Sequence, residues 1–278
     1  MDEWVIKILA DPVTKLSKKS VDFKKIENFI DARVLLKNTF GWKDWKAGQK
    51  FYERWLEKGE TNLLKIKPDF EKIKLLEEPV YKKFKLNGNI LDIGGGVGTL
   101  REFLKPSDKY LCIDPHYKSL KHIPKMKIKA YKCLKNKFNF IVGFAEFLPV
   151  KNSVFDFVHM RSMLDHVQVP DLAILEAHRV LKKNGRLIIG LTVEGGKIGK
   201  LSLKEKIKNI IREVLFFLGL KSIKDYHTWH PSFKNLCMII EDNGFEIEKV
   251  FWQPGMNNKV VYLKANKSKN IQFESRKR

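Results

Sequence analysis

Between Asn89 and Leu100 the chain reads NILDIGGGVGTL, one carboxylate (Asp92) followed by Gly94, Gly95, Gly96 and Gly98. Ordering a glycine costs roughly 0.5–1 kcal/mol more than ordering an alanine, so such a cluster needs a reason. An apolar strand that runs into a glycine loop and then a helix leaves backbone N–H groups open to close approach by a ligand. The spacing is D-x-G-x-G-x-G. The third glycine of a dinucleotide fingerprint would fall at position 99, which is Thr99. A second carboxylate, Asp114, ends the next apolar run, YLCID, 22 residues beyond Asp92. An acid at that place is suited to holding a ribose diol.

Other groups able to do chemistry are histidines. His227 and His230 lie in DYHTWHPS, next to Tyr226 and Trp229. Two readings stand open: a substrate-facing loop in which either imidazole acts as a base, or a loop that packs. Their H-x-x-H spacing lacks a third or fourth ligand nearby, so no metal site is expected. Cys112, Cys133 and Cys237 form no C-x-x-C pair and no disulfide framework.

The elements that must position these residues follow from apolar pattern. Asn89–Ile93, Tyr110–Asp114, Phe138–Ala145, Phe155–Arg161 and Arg186–Val193 read as strands, and Val97–Leu104 reads as a helix stopped by Pro106. PDLAILEAHRVLKKNG reads as a helix with Pro170 in its first turn and Gly185 just past its end. Continuous apolar strands alternating with helices imply a parallel sheet covered on both faces. Two last runs, FEIEKVFWQ and KVVYLKANK, joined by PGMNN, add a closing hairpin that makes the sheet mixed. Glu194–Pro231 interrupts this pattern. Within it an S-x-x-E capping box (Ser202, Glu205) opens an amphipathic helix to Leu218, closed by Gly219. That helix reads as a lid over its own domain, with contact to a membrane surface as the competing reading. The expected organisation is a small unit over 1–40, a helical segment over 41–88, a main domain over 89–267 with the 194–231 insertion, and a basic tail over 268–278.

The formal net charge is +22, which invites a nucleic-acid or anionic-membrane partner. Of the 54 basic residues, however, only 9 are Arg and 45 are Lys. Phosphate recognition favours the Arg fork, and lysine spread along the whole chain favours a general compositional bias. No apolar stretch reaches the ~20 residues of a membrane span, and the acidic MDEWVIKILADPV start does not read as a secretory signal. A reduced, cytoplasmic protein is expected.

From Asn89 to Lys267 the chain resembles a class I S-adenosylmethionine-dependent methyltransferase of the ubiquinone- and menaquinone-biosynthesis-like branch. ILDIGGGVGTL resembles the first motif, Asp114 the ribose-binding acid, GFAEFLPVKNSVFDFVHMRSMLDHV the third and fourth motifs, and LKKNGRLII the turn into the fifth strand. The resemblance implies an α/β, Rossmann-like, seven-stranded sheet, mostly parallel, with helices on both faces. It implies S-adenosylmethionine as cofactor, held by Asp92, Gly94, Gly95, Gly96, Gly98, Asp114, Phe144, Ala145, Glu146 and Arg161, with Tyr52 on a helix closing over it. His166 matches a position at the cleft's edge where the branch often has histidine, so a base role there competes with a backbone-bonded helix start. Phe144 departs from the usual Asp or Asn. The adenine is then held by apolar stacking and backbone groups, or by Glu146 instead. The implied reaction is in-line methyl transfer to a small-molecule or lipid-like acceptor. An RNA methyltransferase is the second reading, although MRSML stands where an N-P-P-Y motif would, and a non-catalytic scaffold is the third. ILADPVTKLS is faintly similar to the opening of the zinc-ribbon partner proteins of methyltransferases, with Asp11 and Thr14 at the cysteine positions.

Overall fold

The computed structural model describes residues 1–17, 22–37, 41–57, 68–200, 207, 211 and 226–268. Its strands are β1 (Lys24–Ile26), β2 (Phe29–Asp31), β3 (Asn89–Ile93), β4 (Lys109–Ile113), β5 (Asn139–Val142), β6 (Phe155–Arg161), β7 (Leu181–Thr192), β8 (Phe245–Trp252) and β9 (Val260–Lys267). They form one sheet in the order β1-β2-β5-β4-β3-β6-β7-β9-β8. β2 through β7 pair in parallel along that order, and β9 runs antiparallel to both β7 and β8. Mixed pairing with a closing hairpin is the architecture expected from the sequence. Among the described residues the strand count is nine rather than seven, because β1 and β2 form an antiparallel hairpin that extends the sheet beyond β5.

β3 sits at the centre, flanked by β4 on one side and β6 on the other. The chain moves outward from β3 through β4 to β5, then returns to lay β6 on β3's free side. This reversal of direction opens a crevice at the strands' carboxyl ends, where ligands bind in such sheets. The two faces carry separate cores. Leu91, Ile93, Leu111, Ile113, Val158 and Met160 belong to the larger one, and Ile90, Tyr110, Cys112, Phe157 and Tyr262 to the smaller. Successive strand residues therefore alternate between the cores, as a two-sided sheet requires.

The helices are α1 (Glu3–Ile8), α2 (Trp42–Glu57), α3 (Phe70–Phe84), α4 (Lys125–Ala130), α5 (Pro170–Val180) and α6 (Phe233–Asp242). The Asp69 side chain accepts from Lys72 N–H at 3.0 Å and starts α3, which packs Val80, Tyr81 and Phe84 on the smaller core. Val5 of α1 and Leu9 after it lie in the larger core.

Two local expectations change. The helix expected from Val97 is a 3-10 turn over Thr99–Phe103, entered through Gly98 at φ 77°. α5 stops at Val180 rather than near Gly185. Leu181 is fully buried and pairs with Phe155, so sheet pairing outweighs the helical pattern. The helix expected over 202–218 lies outside the described residues, apart from Ile207 and Ile211.

Candidate active site

The glycine loop explains itself at two positions. Gly94 has φ 69°, a left-handed conformation that side chains resist, and a Cβ there would lie 2.6 Å from Met163 Cβ. At Gly95 a Cβ would lie 2.3 Å from Asp92 Oδ2, so the loop backbone rests directly on that carboxylate. Gly96 N–H points the other way and donates to Asp114 Oδ2 at 3.0 Å. His116 N–H donates to Asp114 Oδ1 at 2.7 Å. Asp114 is thus a buried carboxylate fixed by two backbone donors at the carboxyl end of β4.

These groups border a cavity of about 330 Å³, in the lower part of the size range of small-molecule sites. Gly94, Gly96 and Asp114 line its floor. Phe144, Ala145 and Glu146, after β5, and Ser162, Met163 and His166, after β6, line two walls. α2 closes the fourth side with Trp45, Gln49 and Tyr52, one helical stripe at i, i+4 and i+7. The helix is held by bonds to the His166 carbonyl from Trp45 Nε1 at 3.0 Å and Gln49 Nε2 at 3.3 Å. Trp45 also meets Phe144 edge-on at 5.3 Å, and Tyr52 meets the His166 ring at 4.6 Å.

Of the residues expected at the cofactor, Gly94, Gly96, Asp114, Phe144, Ala145, Glu146 and Tyr52 line this cavity, and Asp92, Gly95, Gly98 and Arg161 do not. Strand parity is the reason for two of them. Asp92 and Arg161 point to the α3 face, opposite Ile93 and Met160. There Asp92 accepts from Tyr110 Oη at 2.6 Å and lies 2.8 Å from His159 Nδ1, whose Nε2 is 3.2 Å from Tyr81 Oη. Burial and the adjacent Asp92 carboxylate push the Tyr110 hydroxyl well above its usual pKa, which keeps it a donor. Arg161 bonds the Glu77 carboxylate, which also accepts from Tyr131 Oη at 2.8 Å. Gly98 opens the 3-10 turn instead. Glu146 has a task of its own: Oε1 accepts from Gln168 N–H at 2.7 Å and Val169 N–H at 3.3 Å, at the start of α5. Burial holds its carboxyl above the ordinary range in spite of those bonds.

His166 lines the cavity, whereas His227 and His230 sit outside it on the loop before α6. His227 stacks near His166, with ring centroids 4.5 Å apart, and His230 lies 5.6 Å from His227. Lining residues not anticipated include Trp45, Gln49, Pro115, His116, Ser162 and Met163. Pro115 and His116 directly follow Asp114, and the Trp45–Gln49–Tyr52 stripe is legible once Tyr52 is placed at a ligand. Burial lowers the His116 pKa, which favours a neutral imidazole beside Asp114.

Residues 91–189, the segment that builds β3 through most of β7, match the family model described as a methyltransferase domain. The uncharacterized protein MJ1123 of Methanocaldococcus jannaschii is 28% identical over 172 residues, which span 62% of this chain and 72% of that protein. A SAM-dependent methyltransferase from Thermotoga maritima shares the fold with a TM-score of 0.51 and 21% identity, covering 82% of this chain and 100% of the other. The 1,6-didemethyltoxoflavin-N1-methyltransferase of Burkholderia thailandensis, solved with 1,6-didemethyltoxoflavin and S-adenosylhomocysteine, shares it at 0.54 and 13% identity, over 85% of this chain and 94% of that one. Among the described residues no helix is long and apolar enough to cross a membrane. A glycine loop lying on one acid and a second acid facing a ligand-sized crevice both fall within the segment that matches the methyltransferase-domain model, and the chain shares its fold with SAM-dependent methyltransferases.

Proposed function

We propose that the cavity bordered by Asp114 holds S-adenosylmethionine and that the acceptor, a small or lipid-like molecule, is methylated at its His166 end. The observation that carries the assignment is Asp114. Each of its two oxygens is fixed by one backbone donor and has capacity to accept a second hydrogen bond, and the residue borders the cavity, as a partner for a vicinal diol must. The remaining lining fits the same ligand. Gln49 Oε1 is buried without a hydrogen bond among the described residues, and borders the cavity as a ready acceptor for an amino or hydroxyl group. With Phe144 in place of an acid and Glu146 engaged by α5, the purine is held by apolar contact with Phe144 and Pro115 and by backbone groups.

The cofactor, when bound, supplies a methyl group on a positively charged sulfur. The chain then has two tasks, alignment and exclusion of water. Alignment comes from the Gly94–Gly96 backbone, which approaches closely because no side chain intervenes. Exclusion of water comes from Trp45, Tyr52 and Phe144, an aromatic cover over one side. His166 borders the acceptor end and can take a proton from an acceptor that carries one.

Calorimetric titration of the purified protein with S-adenosylmethionine tests this reading. One site per chain is the expected result, competed by S-adenosylhomocysteine. A folded protein that takes up neither compound refutes it.

A further inference from the structure

Three potential metal ligands meet where the cavity opens toward the loop before α6. Asp165 and His166 come from the turn after β6, and His227 from the distant 226–231 segment. Their ligand atoms all lie within 4.8 Å of one another. His166 Nε2 is 3.7 Å from Asp165 Oδ1, and His227 Nε2 is 3.6 Å from Asp165 Oδ2. Those separations are too long for hydrogen bonds. They lie at the upper end of what one ion imposes, since ligands at ~2.0–2.2 Å from a shared cation stand about 2.8–3.1 Å apart at octahedral and about 3.3–3.6 Å at tetrahedral angles.

Two further features support a binding site. Asp165 Oδ1 is buried and has no hydrogen bond among the described residues, a state that a cation would relieve. The two segments are also fastened together without the imidazoles. Thr228 N–H donates to the Asp165 carbonyl at 2.8 Å, and Thr228 Oγ1 donates to the Val167 carbonyl at 2.6 Å. On the other side Tyr226 stacks on Phe51 of α2 at 4.8 Å and packs against Gly48, where a Cβ would meet it at 3.2 Å. The segments that carry the three side chains are therefore joined before an ion arrives, which limits the rearrangement that binding requires.

We propose that Asp165, His166 and His227 bind one divalent transition-metal ion, and that its open positions take oxygen atoms of the methyl acceptor. Two imidazoles and one carboxylate suit zinc, iron, cobalt or nickel better than magnesium or calcium. Three protein ligands leave room for an exogenous donor. His166 belongs both to this cluster and to the cavity lining, so an ion there stands at the acceptor end of the cofactor cavity. The acceptor is accordingly an oxygen-bearing chelator, such as a compound with adjacent hydroxyl or carboxylate groups. This last part rests on the cofactor reading above, whereas ion binding does not. The H-x-x-H pair is not the ligand set: His230 is not in the cluster, and the residues that join His227 there are hidden from local spacing.

The test uses chelator-treated full-length protein, titrated with Zn²⁺ by calorimetry and with Co²⁺ by visible absorption. One ion per chain is expected. Asp165→Asn and His227→Ala should each weaken binding at least tenfold, and His122→Ala, an exposed histidine elsewhere, should bind as the parent does. Acetohydroxamate, a two-oxygen chelator, should shift the Co²⁺ bands of the parent protein. Absence of stoichiometric binding, or unchanged binding by His227→Ala, overturns the site, and Co²⁺ bands indifferent to acetohydroxamate overturn its open positions. His227→Ala should keep its S-adenosylmethionine affinity, because His227 does not line the cavity. If the parent protein binds metal but no S-adenosylmethionine, the cofactor reading fails and the ion site stands.

Discussion

Asp92 and Asp114 are buried carboxylates near the ends of neighbouring strands, and the sequence offers both as cofactor ligands. Their side chains serve different ends. Asp92 supports the glycine loop from below, through Tyr110 and His159, and Asp114 faces the cavity. Substitution should separate them. Asp114→Ala removes the proposed diol acceptor together with the partner of Gly96 N–H, and should weaken S-adenosylmethionine binding by about 2 kcal/mol, roughly 30-fold. Asp92→Ala leaves Tyr110 and His159 facing an emptied buried site, and should lower unfolding stability by about 2–4 kcal/mol. Calorimetry and urea denaturation on both variants decide the matter. Equal affinity losses at equal stability would show that Asp92 reaches the ligand after all. The glycine spacing and the acid that ends YLCID made the cavity floor legible in the sequence. Which way Asp92 and Arg161 point was not, because parity is fixed only by the register of β3 against β4 and β6.

At the scale of elements, the residues at β3 and β6 were readable to the last position, since continuous apolar runs in a doubly covered sheet leave little ambiguity. β1 and β2 were not, because three residues each carry no period. α5 shows how packing overrides pattern: its helical sequence continues, but Leu181 is taken into the sheet. The same helix carries a pH-sensitive contact. His178 packs edge-on against Phe245 at 5.2 Å, and burial, with Lys267 nearby, lowers its pKa to about 4. An unfolded histidine takes up its proton near pH 6.5, while the folded one does so only near 4. The unfolded state therefore binds more protons in that window, and stability falls as the pH drops from about 6.5 to 4. Allowing for a half-exposed ring, the loss should be about 1 kcal/mol. Urea midpoints measured at pH 7 and 4.5 should differ less in His178→Gln than in the parent. An identical difference in both would mean that other groups carry the acid sensitivity.

Over the whole molecule, the described residues 1–17 and 22–37 are integrated with the sheet rather than set beside it. Asp2 N–H donates to Asn139 Oδ1 at 2.8 Å, at the start of β5, and Asn139 Nδ2 returns a bond to Asp2 Oδ2 at 2.9 Å. Leu9 forms a bridge with Val150 and is fully buried in the same core as Leu148 and Ile174. Ala10 N–H donates to the Pro149 carbonyl at 3.0 Å, Lys15 pairs with Glu176 of α5 at 2.7 Å, and β2 continues the sheet from β5. A separate unit would melt separately. A segment that shares its apolar residues with the main core should unfold with it, because the contacts on both sides are lost together. Leu9→Ala removes a buried side chain from that shared core, which costs about 3 kcal/mol where the cavity cannot collapse. The expected result is one calorimetric transition for the parent and one for the variant, the second shifted down as a whole. S-adenosylmethionine should raise the midpoint of that single transition in both, since ligand bound only by the native state stabilises everything that unfolds with its site. A thermogram in which Leu9→Ala moves one peak and the cofactor moves another would show that the amino-terminal segment folds on its own.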